Sequence, residues 1–301
     1  MGDDERGVRL PVAVVTDAAC GLPDALRAAL EADHGLTVLK LPVTVDGEPL
    51  APGSPAALEL ALASGRTLAT SRPSPGAVEA VYRRLAAAGH PHIVSVHLSA
   101  GLSGTVDSAR WAAGRVPVPV SVIDSGTAGM ALGFAVRDAC LMAATGAPPA
   151  AVVAAARRAA EQHRVRFYVP SLDTLRRGGR VGGAAAWLGG VLAIKPLLQI
   201  DDGVVVPLER VRSAPRAIRR LEALAVADLG TVPAADRDCA VHHFGNLAEA
   251  DQLAERLTAQ TGVRPLVSRL PSVLAAHVGL GVLGVVTGHR DSPSTRPRTD
   301  G

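Results

Sequence analysis

The sequence of 301 residues predicts an α/β protein of two domains. Hydrophobic residues make up 48% of the chain and charged residues 20%, which is enough apolar material for a sizeable core. The first half alternates short apolar runs with segments of helical spacing, a pattern typical of βαβ units and a mostly parallel sheet. The second half mixes hairpin and helix signals, which predicts a second, mixed α/β domain.

In the first half, strand-like and helix-like segments follow one another in regular order. Each predicted strand is a short apolar run, and the first ends at Thr16-Asp17. Ser74 and Pro75 supply an N-cap and a proline at the first helical position. The predicted strands are residues 8–15, 36–43, 93–98 and 118–123, and the predicted helices are residues 23–32, 76–88, 103–113 and 127–145.

In the second half, Asp201-Asp202-Gly203 between two apolar runs predicts a β-hairpin. The other predicted strands are residues 165–169, 239–243 and 263–270, beside the hairpin strands 194–200 and 204–211, and the predicted helices are residues 150–162, 172–190, 214–227 and 247–260. We therefore place the domains at residues 8–163 and 164–287. The Ser-, Pro- and Arg-rich end predicts a disordered tail over residues 288–301.

Composition and the chain start argue against several classes of protein. The net charge is only +3 and aromatic residues are 2% of the chain, too few for the stacking platforms of a single-strand nucleic-acid binder. The acidic start lacks a signal segment, and the apolar stretch at residues 181–194 is shorter than the ~20 residues that span a bilayer. We expect a cytoplasmic protein that binds no nucleic acid, and transient contact with a membrane stays open.

Cysteines, histidines and one glycine motif give no strong sign of a cofactor or metal. Cys20, Cys140 and Cys239 are odd in number and widely spaced, which favours buried free thiols. The histidines at 90, 92, 242 and 243 lack a further ligand group at metal spacing. The G-x-G-x-x-G match at residues 279–284 lies near the end of the chain, which favours a glycine-rich terminal strand over a nucleotide site. We predict no cofactor and no metal.

Short polar segments follow the apolar strands, where open α/β sheets bind ligands. Two of them, residues 70–75 and 97–105, run into predicted helix starts, whose N–H groups favour an anion. We expect uncharged donors there, the hydroxyls of Thr70, Ser71 and Ser99, to bind a carboxylate. Ser74 and Ser103 are interpreted as N-caps.

Seven segments of the chain resemble those of the DegV family of fatty-acid-binding proteins. In order between residues 12 and 286 they are V-V-T-D-A-A-C-G-L-P, T-S-R-P-S-P-G, H-L-S-A-G-L-S-G-T, V-I-D-S, L-R-R-G-G-R, I-K-P-L-L-Q-I-D-D-G and A-H-V-G. The resemblance implies a two-domain α/β protein that holds one long-chain fatty acid, with the carboxylate between the domains and the acyl tail buried. It also implies a carrier without catalysis of its own, which presents the acid to a fatty-acid kinase that makes the acyl phosphate.

The resemblance also implies roles for particular residues. By motif position, the residues expected at the head group are Thr70, Ser71, Ser99, Gly101 and His277. The glycine–arginine turn, near which the kinase would dock, maps to Arg176, Arg177 and Arg180. Ala100 stands where the family commonly has a second serine, so backbone N–H groups must replace that hydroxyl if it is a ligand.

Two other functions stay open at this point. One is a serine-dependent acyl hydrolase or transferase that uses Ser99 or Ser103 with His277, although Thr105 stands where G-x-S-x-G requires glycine. The other is a regulatory module for a small anion. The carrier hypothesis has a physical basis, since a buried acyl tail contributes roughly 0.8 kcal/mol per CH₂ and a buried carboxylate needs hydrogen bonds.

Overall fold

The computed structural model describes residues 12–51, 54–180 and 195–290. The strands are β1 Ala13–Asp17, β2 Thr37–Leu39, β3 Val43–Val45, β4 Glu48–Pro49, β5 Leu68–Thr70, β6 Ile93–His97, β7 Val120–Asp124, β8 Arg164–Tyr168, β9 Lys195–Asp201, β10 Val204–Val211, β11 Arg237–His243, β12 Leu266–Arg269 and β13 Leu283–His289. The helices are α1 Asp24–His34, α2 Pro55–Ala63, α3 Pro75–Ala87, α4 Thr105–Ala113, α5 Met130–Ala144, α6 Pro149–Gln162, α7 Asp173–Arg177, α8 Ala214–Gly230, α9 Leu247–Thr261 and α10 Ser272–Val278.

The first sheet is parallel and is covered by helices on both faces. Its strand order is β2-β1-β6-β7, and each neighbouring pair is parallel. Every residue of β1 and β6 is buried, as expected for strands between two helical layers. Tyr82 of α3 and Ala109 of α4 pack on one face, and Phe134 of α5 packs on the other.

The second sheet is mixed, with strand order β10-β9-β8-β13-β11-β12. All its neighbouring pairs are antiparallel except β11 and β12. Leu221 of α8 and Leu253 of α9 cover one face, while Phe167 and Val286 of the other face join the core that contains α5. The predicted fold class, a parallel sheet with flanking helices and a second mixed α/β domain, is confirmed.

A small antiparallel sheet of order β4-β3-β5 was not predicted. The predicted single strand over residues 36–43 is wrong, because β2 ends at Leu39 in the first sheet and β3 begins after Pro42, which cannot donate to a sheet ladder. Helix α2 lacks the one-sided apolar pattern that reveals most helices, since seven of its nine residues are Ala or Leu.

The bounds of several other predicted helices and strands also differ from those in the structure. The predicted helix at residues 172–190 contains α7, which ends at Arg177, and its residues 181–190 lie outside the described ranges. The predicted strand from residue 263 is shorter, and α10 was missed because it has only seven residues. Strand β13 continues to His289, past the predicted end of the second domain, and residues 291–301 lie outside the described ranges. That residues 8–163 and 164–287 are separate domains stays a prediction.

Two polar contacts hold α5 against the second sheet. Arg137 donates two hydrogen bonds to the Asp238 carboxylate of β11, at 2.9 and 2.6 Å. His242 Nε2 accepts from the Met130 backbone N–H at 2.9 Å. Its Nδ1 lies 2.9 Å from Ser268 Oγ, and that hydroxyl donates to the Gly21 carbonyl. His242 Nδ1 therefore carries the proton, and burial lowers the pKa of this neutral imidazole to about 4.

This buried histidine predicts a loss of stability in acid. Between the ordinary pKa of 6.5 and about 4, the unfolded chain takes up a proton at His242 that the folded chain does not. The free energy of unfolding therefore falls as the pH drops through this window, by about 3 kcal/mol for this group. Urea unfolding at several pH values should show a smaller loss in His242→Gln than in wild type.

The matched control is His289→Gln, which changes a histidine at the end of β13 and should keep the wild-type pH dependence. An unchanged pH dependence in His242→Gln would contradict the assignment.

Candidate functional site

A cavity of about 360 Å³ lies where the strand ends and loops of the first sheet meet one face of the second sheet. Apolar residues from both sheets and from α10 form most of its wall, among them Leu98, Phe167, Ile200, Val205, Leu270 and Val273. Its volume is within the range of small-molecule sites, ~300–1,000 Å³. The cavity is therefore large enough and apolar enough for a hydrophobic ligand.

Most polar side chains that line the cavity belong to a set that we call the polar ring: Thr70, Ser71, Arg72, Ser103, Arg180 and His277. Thr70 contacts His277, and Arg180 Nε donates to the carbonyl of Leu102, the residue before Ser103. Arg72 lies across Gly104, where an added Cβ would be 2.9 Å from Arg72 Cδ. Because Ser71 and Arg72 are exposed, the polar ring marks the open end of the cavity.

Two members of the ring, Thr70 and His277, are hydrogen-bonded to each other, with 2.7 Å between Oγ1 and Nε2. Burial, and then the charge of Arg180, lower the pKa of His277 to about 4, so the imidazole is neutral at pH 7. Within the described residues Nδ1 is buried without a hydrogen-bond partner. A proton on Nδ1 would leave a buried donor unpaired, so we assign the proton to Nε2, which then donates to Thr70. The Thr70 hydroxyl hydrogen is then free for an acceptor in the cavity.

Local sequence explains how these side chains reach the cavity. Thr70 ends β5, which pairs with β3, and the chain then turns into α3, where Ser74 Oγ accepts from the Ala77 N–H at 3.2 Å. The predicted N-cap at Ser74 is thus confirmed. Helix α10 presents Val273, Leu274, His277 and Val278 to the cavity, which is the i, i+1, i+4, i+5 spacing of one helical face.

Of the residues predicted at the head group, Thr70, Ser71 and His277 line the cavity, whereas Ser99 and Gly101 are not among the described residues that do. Ser99 is buried, and its hydroxyl donates to the Gly203 carbonyl at 2.6 Å and accepts from the Gly101 N–H at 3.1 Å. The turn of the β9–β10 hairpin therefore packs on this loop and accepts the hydrogen of the Ser99 hydroxyl.

The backbone N–H groups of Ala100 and Gly101, beside the hydroxyl that Ala100 lacks, are bonded within the protein. The Ala100 N–H donates to Asp124 Oδ1 at 3.1 Å, and the Gly101 N–H donates to Ser99 Oγ. These two backbone donors next to the missing hydroxyl therefore already have acceptors within the protein.

Three members of the polar ring were not predicted at the head group. Ser103 is not an N-cap, because α4 begins at Thr105 with Gly104 as its N-cap, and Ser103 Oγ lies 2.9 Å from Thr105 Oγ1. Arg72 and Arg180 bring positive charge where uncharged donors were expected. Arg72 follows directly on Thr70 and Ser71, so its place in the motif was the available signal.

The predicted docking arginines separate into two kinds. Arg180 is half-buried, lines the cavity and also donates to the Gly178 carbonyl. Arg176 and Arg177 are exposed; Arg176 lies 3.7 Å from Asp173, and Arg177 lines a separate pocket of about 140 Å³. Docking of a partner at these exposed arginines stays a prediction.

The contacts of Ser99 and Ser103 bear on the hydrolase hypothesis. Each hydroxyl has its own partner, and His277 Nε2 is bonded to Thr70, so neither serine is paired with His277. A Ser-His-Asp series does exist elsewhere, since Ser95 Oγ lies 2.7 Å from His97 Nε2 and His97 Nδ1 lies 3.0 Å from Asp17 Oδ2. All three side chains are fully buried, so this network serves the core of the first sheet.

The described residues contain neither a group of side chains that could hold a metal ion nor a helix that could span a membrane. Across residues 12–51, 54–180 and 195–290, no three or more His, Cys, Asp or Glu side chains are grouped so that they could hold a metal ion. Within the same ranges, none of the helices has the length and apolar character needed to span a bilayer.

Comparison with known proteins places the chain in a family. The family model described as "Uncharacterised protein, DegV family" matches residues 11–289. A DegV domain-containing protein of Streptomyces coelicolor is 44% identical over 284 residues, which cover 93% of this chain and 99% of that protein.

Two solved structures resemble the fold over nearly its whole length. A DegV family protein from Thermus thermophilus, described by its fatty-acid binding, is 31% identical with a TM-score of 0.82, covering 93% of this chain and 100% of that one. DegV of Bacillus subtilis, described as a fatty acid binding protein, is 28% identical with a TM-score of 0.84 and the same coverage. The match of the family model and these relatives show that the chain belongs to the DegV family.

Proposed function

We propose that this protein is a carrier that binds one long-chain fatty acid in the cavity. The observation that carries the proposal is the division of one cavity into a long apolar wall and a polar ring at its open end. The acyl tail lies along the wall, and the carboxylate lies at the ring. The two relatives described as fatty-acid binding, from Thermus thermophilus and Bacillus subtilis, support this assignment.

The polar ring suits a carboxylate. With the His277 proton directed to Thr70, the Thr70 hydroxyl donates to the head group, and Ser71 offers a second hydroxyl. Arg72 and Arg180 supply positive charge, which offsets the cost of taking a carboxylate partly out of water. The tail then stabilises the complex by roughly 0.8 kcal/mol for each buried CH₂.

We further propose that the protein performs no chemistry itself and presents the bound acid to a fatty-acid kinase. Neither Ser99 nor Ser103 is paired with His277, which favours binding over hydrolysis. Exposed Arg176 and Arg177 end α7, directly before the turn that leads to Arg180 of the polar ring. A kinase that docks on this turn would reach the carboxylate at the open end. In this proposal the acid lies between domains formed by residues 8–163 and 164–287.

The first test is the change Thr70→Val, which keeps the shape of the side chain and removes the hydroxyl. We expect a fatty acid to bind about 10- to 100-fold more weakly, because a hydrogen bond to a charged group contributes about 1.5–3 kcal/mol. Binding of a fluorescent fatty acid to delipidated protein measures the change. Thr44→Val, in β3 of the same small sheet, is the matched control and should bind as wild type does.

Several results would overturn the carrier proposal. Organic extraction and mass spectrometry of the purified wild-type protein should identify a bound fatty acid. Wild-type protein that neither retains nor binds a fatty acid, but is stabilised against heat by phosphate, would favour the small-anion module. Hydrolysis of a nitrophenyl acyl ester that is lost in Ser99→Ala would favour the hydrolase.

The second test concerns the kinase. We expect a bacterial fatty-acid kinase with ATP to convert the bound acid to its acyl phosphate, and the double change Arg176→Ala and Arg177→Ala to slow this conversion while fatty-acid binding is kept. The double change Arg216→Ala and Arg219→Ala removes the same charge from the exposed side of α8 and serves as the control. Equal rates in the two double variants would refute docking at the turn.

A further inference from the structure

The glycines at 279, 281 and 284 differ in what the fold requires of them. Gly279 has φ +84°, and an added Cβ would lie 3.0 Å from Thr174 Oγ1. Gly281 has φ +76°, and an added Cβ would lie 2.9 Å from Pro170 Cγ. Positive φ and close approach together explain both residues. These two glycines therefore shape the turn before β13.

At position 284, neither a positive φ nor the close approach of a neighbour requires glycine. Gly284 lies inside β13 with ordinary strand geometry, where glycine is less stable than alanine. An added Cβ would lie 3.5 Å from His242 Cβ and 3.6 Å from Phe167 Cβ, which are ordinary van der Waals distances. Its backbone and its neighbours would therefore accept a methyl group.

The absence of a side chain at position 284 leaves the cavity wider at this point. Gly284 lines it, and its partners across the sheet, Phe167 of β8 and His242 of β11, line it as well. A slot one residue wide thus separates the phenyl and imidazole rings. A glycine within a strand often marks close approach of a ligand.

The slot is suited to methylene groups. Both ring nitrogens of His242 are already bonded, to the Met130 N–H and to Ser268, so toward the cavity this residue offers only ring carbon. Phe167 is apolar, and neither residue belongs to the polar ring. A hydrocarbon chain can fill the slot, whereas a polar group would find no partner among these side chains.

We propose that Gly284 is a specificity-determining residue, which sets the length of acyl tail that the cavity accepts. The inference rests on the proposed fatty-acid binding and adds the residue that selects among acids. A side chain at position 284 takes the space of the part of the tail that lies between Phe167 and His242. Each methylene that no longer fits lowers the affinity about fourfold.

The experiment measures the affinities of delipidated wild type, Gly284→Ala and Gly284→Val for saturated acids from about 12 to about 18 carbons, since each added CH₂ reports on the space available. We expect the ratio of long-chain to short-chain affinity to fall about fourfold in Gly284→Ala and more than tenfold in Gly284→Val. The control is Gly230→Ala at the end of α8, where an added Cβ has no neighbour within 4 Å, and its ratio should equal that of wild type.

The outcomes separate this inference from the function on which it rests. If wild type binds no acid of any length, the proposed function fails. If wild type binds and the ratio is unchanged in Gly284→Ala, the inference fails and the carrier proposal stands. The ligand-free Gly284→Ala protein should melt no lower than wild type; a large drop in melting temperature would show that the fold requires this glycine, and would overturn the inference.

Discussion

The hydrogen bond between Thr70 and His277 is the contact on which the rest of the site depends. It joins residues 207 positions apart, one at the end of the small antiparallel sheet and the other on α10. Because His277 is half-buried and neutral, with its one N–H assigned to Nε2, its proton fixes the direction of this bond. The Thr70 hydroxyl must then donate elsewhere, so the open end of the cavity is arranged to receive an acceptor rather than a donor.

The sequence could predict what depends on local pattern, and it failed where distant contacts decide. Buried parallel strands such as Ile93–His97 are short, mostly apolar runs with β-branched residues, and this length and composition predict strands. Thr70, Ser71 and His277 line the cavity, and they were singled out because their motifs follow strands or belong to a recognised set. Ser99 is not among the described residues of the lining, because its hydroxyl bonds to the Gly203 carbonyl, 104 residues away on a hairpin turn. No pattern near position 99 reveals that contact.

The positive charge of the site was not predicted from the local sequence either. Uncharged donors were expected because hydroxyl groups dominate the short segments after the strands. The fold adds two guanidinium groups. Arg72 lies over Gly104, and Arg180, which follows α7, donates hydrogen bonds to the Leu102 and Gly178 carbonyls. A neutral histidine beside two cations makes the ring positive overall, which favours an anionic head group over a neutral lipid.

His242 links the shape of the cavity to the contact between the two large sheets. Its nitrogens are hydrogen-bonded to the Met130 N–H at the start of α5 and to the Ser268 hydroxyl, and its ring forms part of the cavity wall. Parting the sheets to admit a ligand would therefore break this contact and the paired bonds from Arg137 to Asp238. Entry past Ser71 and Arg72, which are already exposed, breaks neither. In the proposed carrier, the end that binds the head group is thus also the end through which a tail would pass at least energetic cost. The proposal therefore requires the acid to enter tail first, which leaves its carboxylate at the end that a partner could reach.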